Sequence, residues 1–245
     1  MRVSILQHAG FEHAGILRDF MRADGTRFDV AALDEGDVLP KLDRYDALII
    51  LGGPMGPLDY NSYPWLAGET ECIREAVVDR SLPTLGICLG HQLLALALGG
   101  SLTRMEKTEV GVVDIRFNEA GRRDPLFAGW EAVAPSLQWH EWQVGELPPG
   151  AIPLASTAAC QFQAMRAAPR AWGVQFHIEA YDQIANEWLA LPGHKEELQK
   201  HLGEGAHAIF ESQAAQNMKR LNSDARRLFR NFTILAQLPT ESVEG

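Results

Sequence analysis

Two rhythms of apolar positions divide the chain. In the first hundred residues short apolar runs alternate with helical patterns. A strand over Arg2–Gln7, a helix over 15–23 and a strand over 28–33 open the series. Residues 46–51 follow as an unbroken apolar run after Asp46, ending in Gly52-Gly53-Pro54. Such a run fits a strand buried on both faces, as in a parallel sheet. Residues 69–80 predict an amphipathic helix with Cys72, Ile73, Ala76 and Val77 on its apolar stripe. A short strand over 83–87 runs directly into a helix over 90–98, which Gly99-Gly100 ends. The alternation predicts an α/β fold, an open and mostly parallel sheet flanked by helices.

From 101 to 178 the rhythm shortens. Candidate strands at 111–117, 132–137, 152–156, 160–166 and 171–176 read as antiparallel hairpins leading back to a last core strand. The rest is helical. Ala206, Ile209, Phe210, Ala214, Met218, Leu221, Ala225, Leu228, Phe229 and Phe232 recur at spacings that form one apolar stripe about seven turns long. The expected organisation is a catalytic domain over 1–180 and a helical extension over 181–245 packed on it, with a dimer or partner contact as the other use of that stripe.

Charge and cysteine content narrow the class. A net charge of −10 argues against nucleic acid or an anionic membrane as partner. Residues 1–8 give no signal-peptide pattern, and no apolar stretch approaches the length that spans a bilayer. Cys72, Cys88 and Cys160 are odd in number and widely spaced, with no CxxC pair. They suggest neither a disulfide framework nor a zinc site, and a reducing cytoplasm is the expected setting. The histidines show no convincing metal-ligand spacing, and no cofactor is expected.

The candidate chemistry centres on Gly86-Ile87-Cys88-Leu89-Gly90. In the pattern glycine–x–nucleophile–x–glycine a strand turns sharply into a helix, and the nucleophile sits at the tip. Helix N-terminal N–H groups there favour a negative sulfur, and the N–H of Leu89 points towards a developing oxyanion. A small buried cysteine beside a tight turn carries the same letters, so the pattern needs a partner. Gly173-Val174-Gln175-Phe176-His177-Ile178-Glu179 supplies one. Strand alternation turns Val174, Phe176 and Ile178 to the core and brings His177 and Glu179 out together. The carboxylate can then orient the imidazole, and the imidazole can serve the thiol. Cys72 and Cys160 lack glycine punctuation and read as structural. His140, within Gln138-Trp139-His140-Glu141-Trp142, is expected in an aromatic loop that walls a site. His91 reads as a structural hydrogen-bonding residue; His8, His13, His194, His201 and His207 read as surface.

Three blocks, Leu51-Gly52-Gly53-Pro54-Met55-Gly56, the cysteine block extended through His91-Gln92-Leu93-Leu94-Ala95, and the 173–179 block, resemble the class I (triad-type) glutamine amidotransferase family across about residues 1–180. Within it the chain is similar to stand-alone proteins related to the amidotransferase domain of GMP synthase; Trp139-His140-Glu141 and Leu147-Pro148-Pro149-Gly150 fit that branch. The resemblance implies a flavodoxin-like fold with Cys88 as nucleophile, His177 as acid/base and Glu179 as its orienter. It further implies oxyanion-hole N–H groups from Gly53 and Leu89, with Gln92 contacting the amino-acid end of a bound glutamine; Trp139 and His140 are the expected substrate-side wall. Ile178 stands where the family usually has proline. No synthase module that would consume ammonia is recognisable. The expected activity is therefore hydrolysis of a γ-glutamyl amide through a cysteine thioester, with a separate synthase subunit receiving the ammonia or with the protein acting alone as a γ-glutamyl peptidase. A non-catalytic binding module on the same fold is the competing reading, and loss of a triad residue would be its signature.

Overall fold

The structure is a computed structural model and describes residues 1–239. Its strands are β1 (Arg2–Gln7), β2 (Arg27–Ala32), β3 (Ala47–Ile50), β4 (Thr84–Ile87), β5 (Ser101–Phe117), β6 (Val133–Glu146), β7 (Ile152–Ser156), β8 (Ala164–Ala168) and β9 (Ala171–Val174). They form one sheet in the order β2-β1-β3-β4-β9-β8-β7-β5-β6. Pairings from β2 through β9 are parallel; those from β9 to β6 are antiparallel. The helices are α1 (Gly15–Ala23), α2 (Trp65–Arg74), α3 (Leu89–Ala97), α4 (Glu119–Arg123), α5 (Ile184–Ala190), α6 (His194–Leu202) and α7 (Ala206–Gln237).

Alternation along the parallel strands feeds two cores. Val3, Ile5 and Ile49 face α1 and α7, meeting Leu17, Met21, Leu228, Phe229 and Phe232. Leu6, Leu48 and Ile50 face α2 and α3, meeting Ile73, Ala76, Leu93 and Leu94. A third cluster joins Trp188, Leu198, Phe210 and Met218 of α5–α7 to Val110 and Leu137 of the β5–β6 hairpin. The C-terminal helices thus share their cores with the sheet. Residues 240–245 of the predicted extension lie outside the described residues. No helix among the described residues is long and apolar enough to cross a membrane.

Several predicted elements shift. The strand predicted over 111–117 is a 17-residue strand, Ser101–Phe117, and its partner Val133–Glu146 has 14 residues, with a register irregularity between Arg104 and Glu109. His140 therefore lies on β6, paired with Glu109, and not in a loop. A hairpin arm leaving the sheet can be polar wherever it meets solvent, so the charged residues within 104–109 do not end β5. Cys160 precedes β8 in a turn rather than starting a strand, with its N–H donated to Thr157 Oγ1 at 3.0 Å. Helix α2 begins earlier than expected, after Pro64, and widens to a π-helical turn at Glu75–Asp79. Ile209, counted in the stripe of α7, is 52% exposed. Ala206 and Phe210 carry the burial there, and residue 209 falls about 100° round the helix from 210.

Adjacent strand ends set up the site. In an open parallel sheet the crevice lies beyond the carboxyl ends of the strands. Here β1, β3, β4 and β9 are successive neighbours. Just past their ends come His8, Gly52-Gly53, Cys88 and His177 in turn.

Candidate active site

Cys88 joins β4 to α3 with φ 51° and ψ −105°. A positive φ is uncommon for a residue with a side chain and costs roughly 1–3 kcal/mol, held by its surroundings. Here the Cys88 N–H bonds Val174 O at 2.9 Å, and Gly90 N–H bonds Leu51 O at 3.1 Å. Both flanking glycines are required by close backbone approach. A side-chain carbon at Gly86 would lie 2.4 Å from Gly90 O, and one at Gly90 would lie 2.2 Å from Ile50 O. Burial pushes the Cys72 thiol up to about 11 and the Cys160 thiol up to about 12.

His177 is delivered to Cys88 by the β4–β9 pairing, whose register sets Ile87 against Val174. Its N–H is tied to Leu137 O at 3.0 Å. The ring's Nδ1 meets Glu179 Oε1 at 2.5 Å, and the imidazole and Cys88 face the same cleft, both beside Gly52. Burial works against a charge on His177, but Glu179 and Cys88 hold its pKa well above the ordinary value. Alternation continues past the end of β9, with Phe176 and Ile178 in the core and His177 and Glu179 on the opposite side. All four are buried. Ile178 is 4% exposed and fills the slot expected of it. Gln175 Nε2 approaches Cys88 Sγ at 3.6 Å, and the Trp188 ring meets His177 edge-on at 4.7 Å.

A cleft of about 250 Å³ opens over these groups. Cys88, His177, Gly53, Leu89, Gln92, Trp139 and His140 all line it, while Glu179 sits behind His177. Gln92 Nε2 donates to Trp142 O at 2.9 Å and Gln175 Oε1 at 3.1 Å. His140 is held by Trp142 O and Glu109 Oε2, both at 3.0 Å. Trp188, His194 and Glu197 bring α5 and α6 into the wall, and His194 lies against Trp139 with ring centres 4.9 Å apart. The arrangement offers a thiol, a base and a carboxylate in line, beside a glycine turn, which is the equipment for acyl transfer.

The family description "Glutamine amidotransferase class-I" matches residues 15–190. The chain belongs to the class I glutamine amidotransferase family. It is 32% identical over 183 residues to the glutamine amidotransferase-like protein YfeJ of Salmonella typhimurium, covering 73% of this chain and 76% of that one. It is also 32% identical over 183 residues to a GMP synthase of Pyrobaculum aerophilum, where the match covers 74% of this chain but 33% of the relative. Among solved structures, a glutamine amidotransferase of Thermotoga maritima superposes with a TM-score of 0.85 at 27% identity, covering 97% of this chain and 99% of that one. One from Methylobacillus flagellatus gives 0.86 at 27% identity, covering 97% and 96%.

Against this amidotransferase frame, sequence reasoning missed several residues. His8 is fully buried, not at the surface, and bonds Gly52 O and Glu69 Oε1, each at 2.8 Å. Its position directly after a buried parallel strand, like that of Cys88, was the available signal. His13 and His194 are half-buried, the first stacked on Tyr181 and the second in the cleft wall. His201 and His207 are exposed. His91 is buried against Gly173, where a side-chain carbon would come within 2.4 Å of its Nδ1; burial drives it down to about 3, so the ring is neutral. Glu12, in the β1–α1 loop, brings a second carboxylate to 4.0 Å from His177 Nδ1. Burial raises Glu12 to about 7, with His177 opposing and Glu179 reinforcing the shift. Among the described residues two trios place ligand-type atoms within 4.8 Å of one another, Glu12–His177–Glu179 and Glu109–His140–Cys160. Hydrogen bonds account for both: Nδ1 of His177 is engaged by Glu179, and Glu109 accepts from Thr157 at 2.7 Å and Gln163 at 2.6 Å.

Proposed function

We propose that this amidotransferase-family protein hydrolyses the γ-carboxamide of glutamine or of a γ-glutamyl compound through a thioester on Cys88. The Cys88 sulfur adds to the carbonyl carbon, and the oxyanion is met by the N–H groups of Gly53 and Leu89. The C–N bond then breaks, and His177 gives its proton to the departing ammonia or amine. Water adds to the thioester carbonyl as His177 takes a proton from it; the C–S bond then breaks, His177 returns the proton to the sulfur, and the γ-carboxylate product is released. Glu179 holds the imidazole and stabilises its charged form. Gln92, Trp139 and His140 form the wall that receives the amino-acid end of the substrate. Residues 1–180 carry the chemistry, and the helices after 181 complete the cleft.

The observation that carries this reading is the His177 imidazole, bonded to Glu179 at 2.5 Å and facing the same cleft as Cys88. A glutaminase assay tests it. Cys88→Ala should lose about 10⁴-fold or more in kcat, as loss of a covalent nucleophile does elsewhere. An equally active Cys88→Ala protein would end the proposal. A glutamine-like electrophile should label Cys88 and spare Cys72 and Cys160, whose thiols burial keeps protonated.

A second reading concerns the fate of the amine. GMP synthase relatives make a separate synthase subunit a natural recipient of ammonia. The contribution of Trp188, His194 and Glu197 to the cleft favours action alone, because this chain walls its own site. Full glutaminase activity of the purified protein supports the stand-alone reading; activity appearing only with an added synthase supports the other. The free cysteines suit a reducing cytoplasm.

A further inference from the structure

His8 and Glu69 are both 0% exposed, and the hydrolysis proposed above uses neither. Burying an ion pair is rarely favourable for stability, since apolar side chains of similar size serve as well or better. The pair therefore calls for another explanation, and its contacts give one. His8 Nδ1 lies 2.8 Å from Gly52 O, and a carbonyl can only accept, so this nitrogen carries a proton. Its Nε2 lies 2.8 Å from Glu69 Oε1, which anchors the ring from α2. Burial opposes a charge on His8, but the carboxylate and the Gly52 carbonyl together hold it above the ordinary histidine range.

The carbonyl of Gly52 and the N–H of Gly53 belong to one trans peptide and point in opposite directions. Fixing one end fixes the other. Gly52 passes directly beside the reacting groups: a side-chain carbon there would lie 3.2 Å from His177 Cε1 and 3.6 Å from Cys88 Cβ. At Gly53 it would lie 2.9 Å from His8 Cβ and 2.8 Å from Leu89 Cδ2, so the same peptide is wedged between β1 and the elbow. We propose that His8, braced by Glu69, is a positioning residue that aims the Gly53 N–H at the substrate's carbonyl oxygen. A donor on the Gly52 carbonyl also polarises the peptide and strengthens its N–H as a donor to an oxyanion. The inference rests on the thioester reading and adds to it the device that holds half of the oxyanion hole.

The test compares two reactions of Cys88. Hydrolysis of glutamine develops an oxyanion; alkylation by iodoacetamide, a displacement at a saturated carbon, does not. The double variant His8→Leu/Glu69→Leu removes both charges together and leaves none unpaired. It should lose roughly 10–100-fold in kcat, somewhat less than deleting an oxyanion donor outright, with KM within about threefold and alkylation of Cys88 within about twofold of the parent. His8→Asn/Glu69→Gln keeps a neutral donor for the Gly52 carbonyl and should recover much of the loss; it also serves should the first variant fold poorly. Equal losses in hydrolysis and alkylation, or no loss in hydrolysis, would overturn the assignment. Parent and Cys88→Ala run alongside. If these two hydrolyse glutamine alike, the thioester reading has failed; if they differ while both double variants match the parent, the positioning role alone has failed.

Discussion

The floor and the roof of the cleft are built in opposite ways. The floor is a row of residues just past four neighbouring parallel strands, and its elbow and histidine are fixed by backbone: Cys88 by its bond to Val174, His177 by Leu137, Gly90 by Leu51. The roof comes from the β5–β6 hairpin and from α5 and α6, where Trp139, Trp188 and His194 meet through ring contacts. Backbone hydrogen bonds fix a group to a few tenths of an ångström and leave little room for substitution. Ring contacts tolerate exchange of shape and size. The floor thus suits an invariant reaction, and the roof suits selection among substrates. Floor variants should change kcat or the fold itself, while roof variants should change KM.

The largest departure is expected from Glu179→Gln, which keeps the shape of the floor and removes its charge. A fall of about 10²–10⁴ in kcat is expected, by analogy with triads that lose their carboxylate. The pH profile should move as well. His177 is held above its ordinary value partly by Glu179, so its loss brings the basic limb of the profile to lower pH. Because folded His177 binds its proton more tightly than the unfolded chain, the pair stabilises below about pH 6.5 and loses that contribution as pH rises through the folded value. Thermal melts should therefore show a larger defect at pH 6 than at pH 9. Unchanged kcat would remove the carboxylate from the floor.

Next in size is Gly90→Ala. The added carbon would come within 2.2 Å of Ile50 O, a backbone atom that cannot step aside. A destabilisation of about 3 kcal/mol or more is expected in denaturant melts; a neutral result would mean the elbow is looser than its geometry.

Glu12 sits where floor meets roof. Its carboxyl is raised to about 7 and so resists ionisation in the folded protein. Stability is then lost as pH rises from the unfolded carboxyl value through 7. Glu12→Gln should stabilise by roughly 1–3 kcal/mol at pH 8 and by little at pH 4. The reverse ordering in calorimetry would refute the shift. Smallest is His194→Ala, a half-exposed roof residue. A KM change of a few-fold with kcat nearly constant is expected, alongside a stability change within about 1 kcal/mol; a kcat loss like that of Glu179→Gln would erase the distinction between floor and roof.

The floor was legible in the sequence because its signals are local. Unbroken apolar runs marked β3 and β4, glycines marked the turns after them, and alternation through 174–179 separated Phe176 and Ile178 from His177 and Glu179. Strand order was not written locally, so the place of His8 after a buried strand signalled a position near the crevice but not that β1 would bring it to the Gly52 carbonyl. The roof was hidden for a different reason. Its strands run out along a hairpin arm with charged residues at 104–109, where neither face alternates cleanly, and its helices face the cleft through Trp188 and His194, residues that also suit an ordinary core or surface.

The pairing of β4 with β9 also dictates when the proposed nucleophile can meet its partners. These strands are neighbours in space yet distant in the chain, and β5 through β8 are threaded between them. Contacts so far apart close late, after the entropy of a long loop has been overcome. As the chain leaves the ribosome, Cys88 is made well before its imidazole and carboxylate. During synthesis it is an ordinary thiol without a partner, and it meets them only when the last strand docks. Topology thus acts as a timer on the proposed chemistry, keeping its groups apart until the fold that contains them is finished.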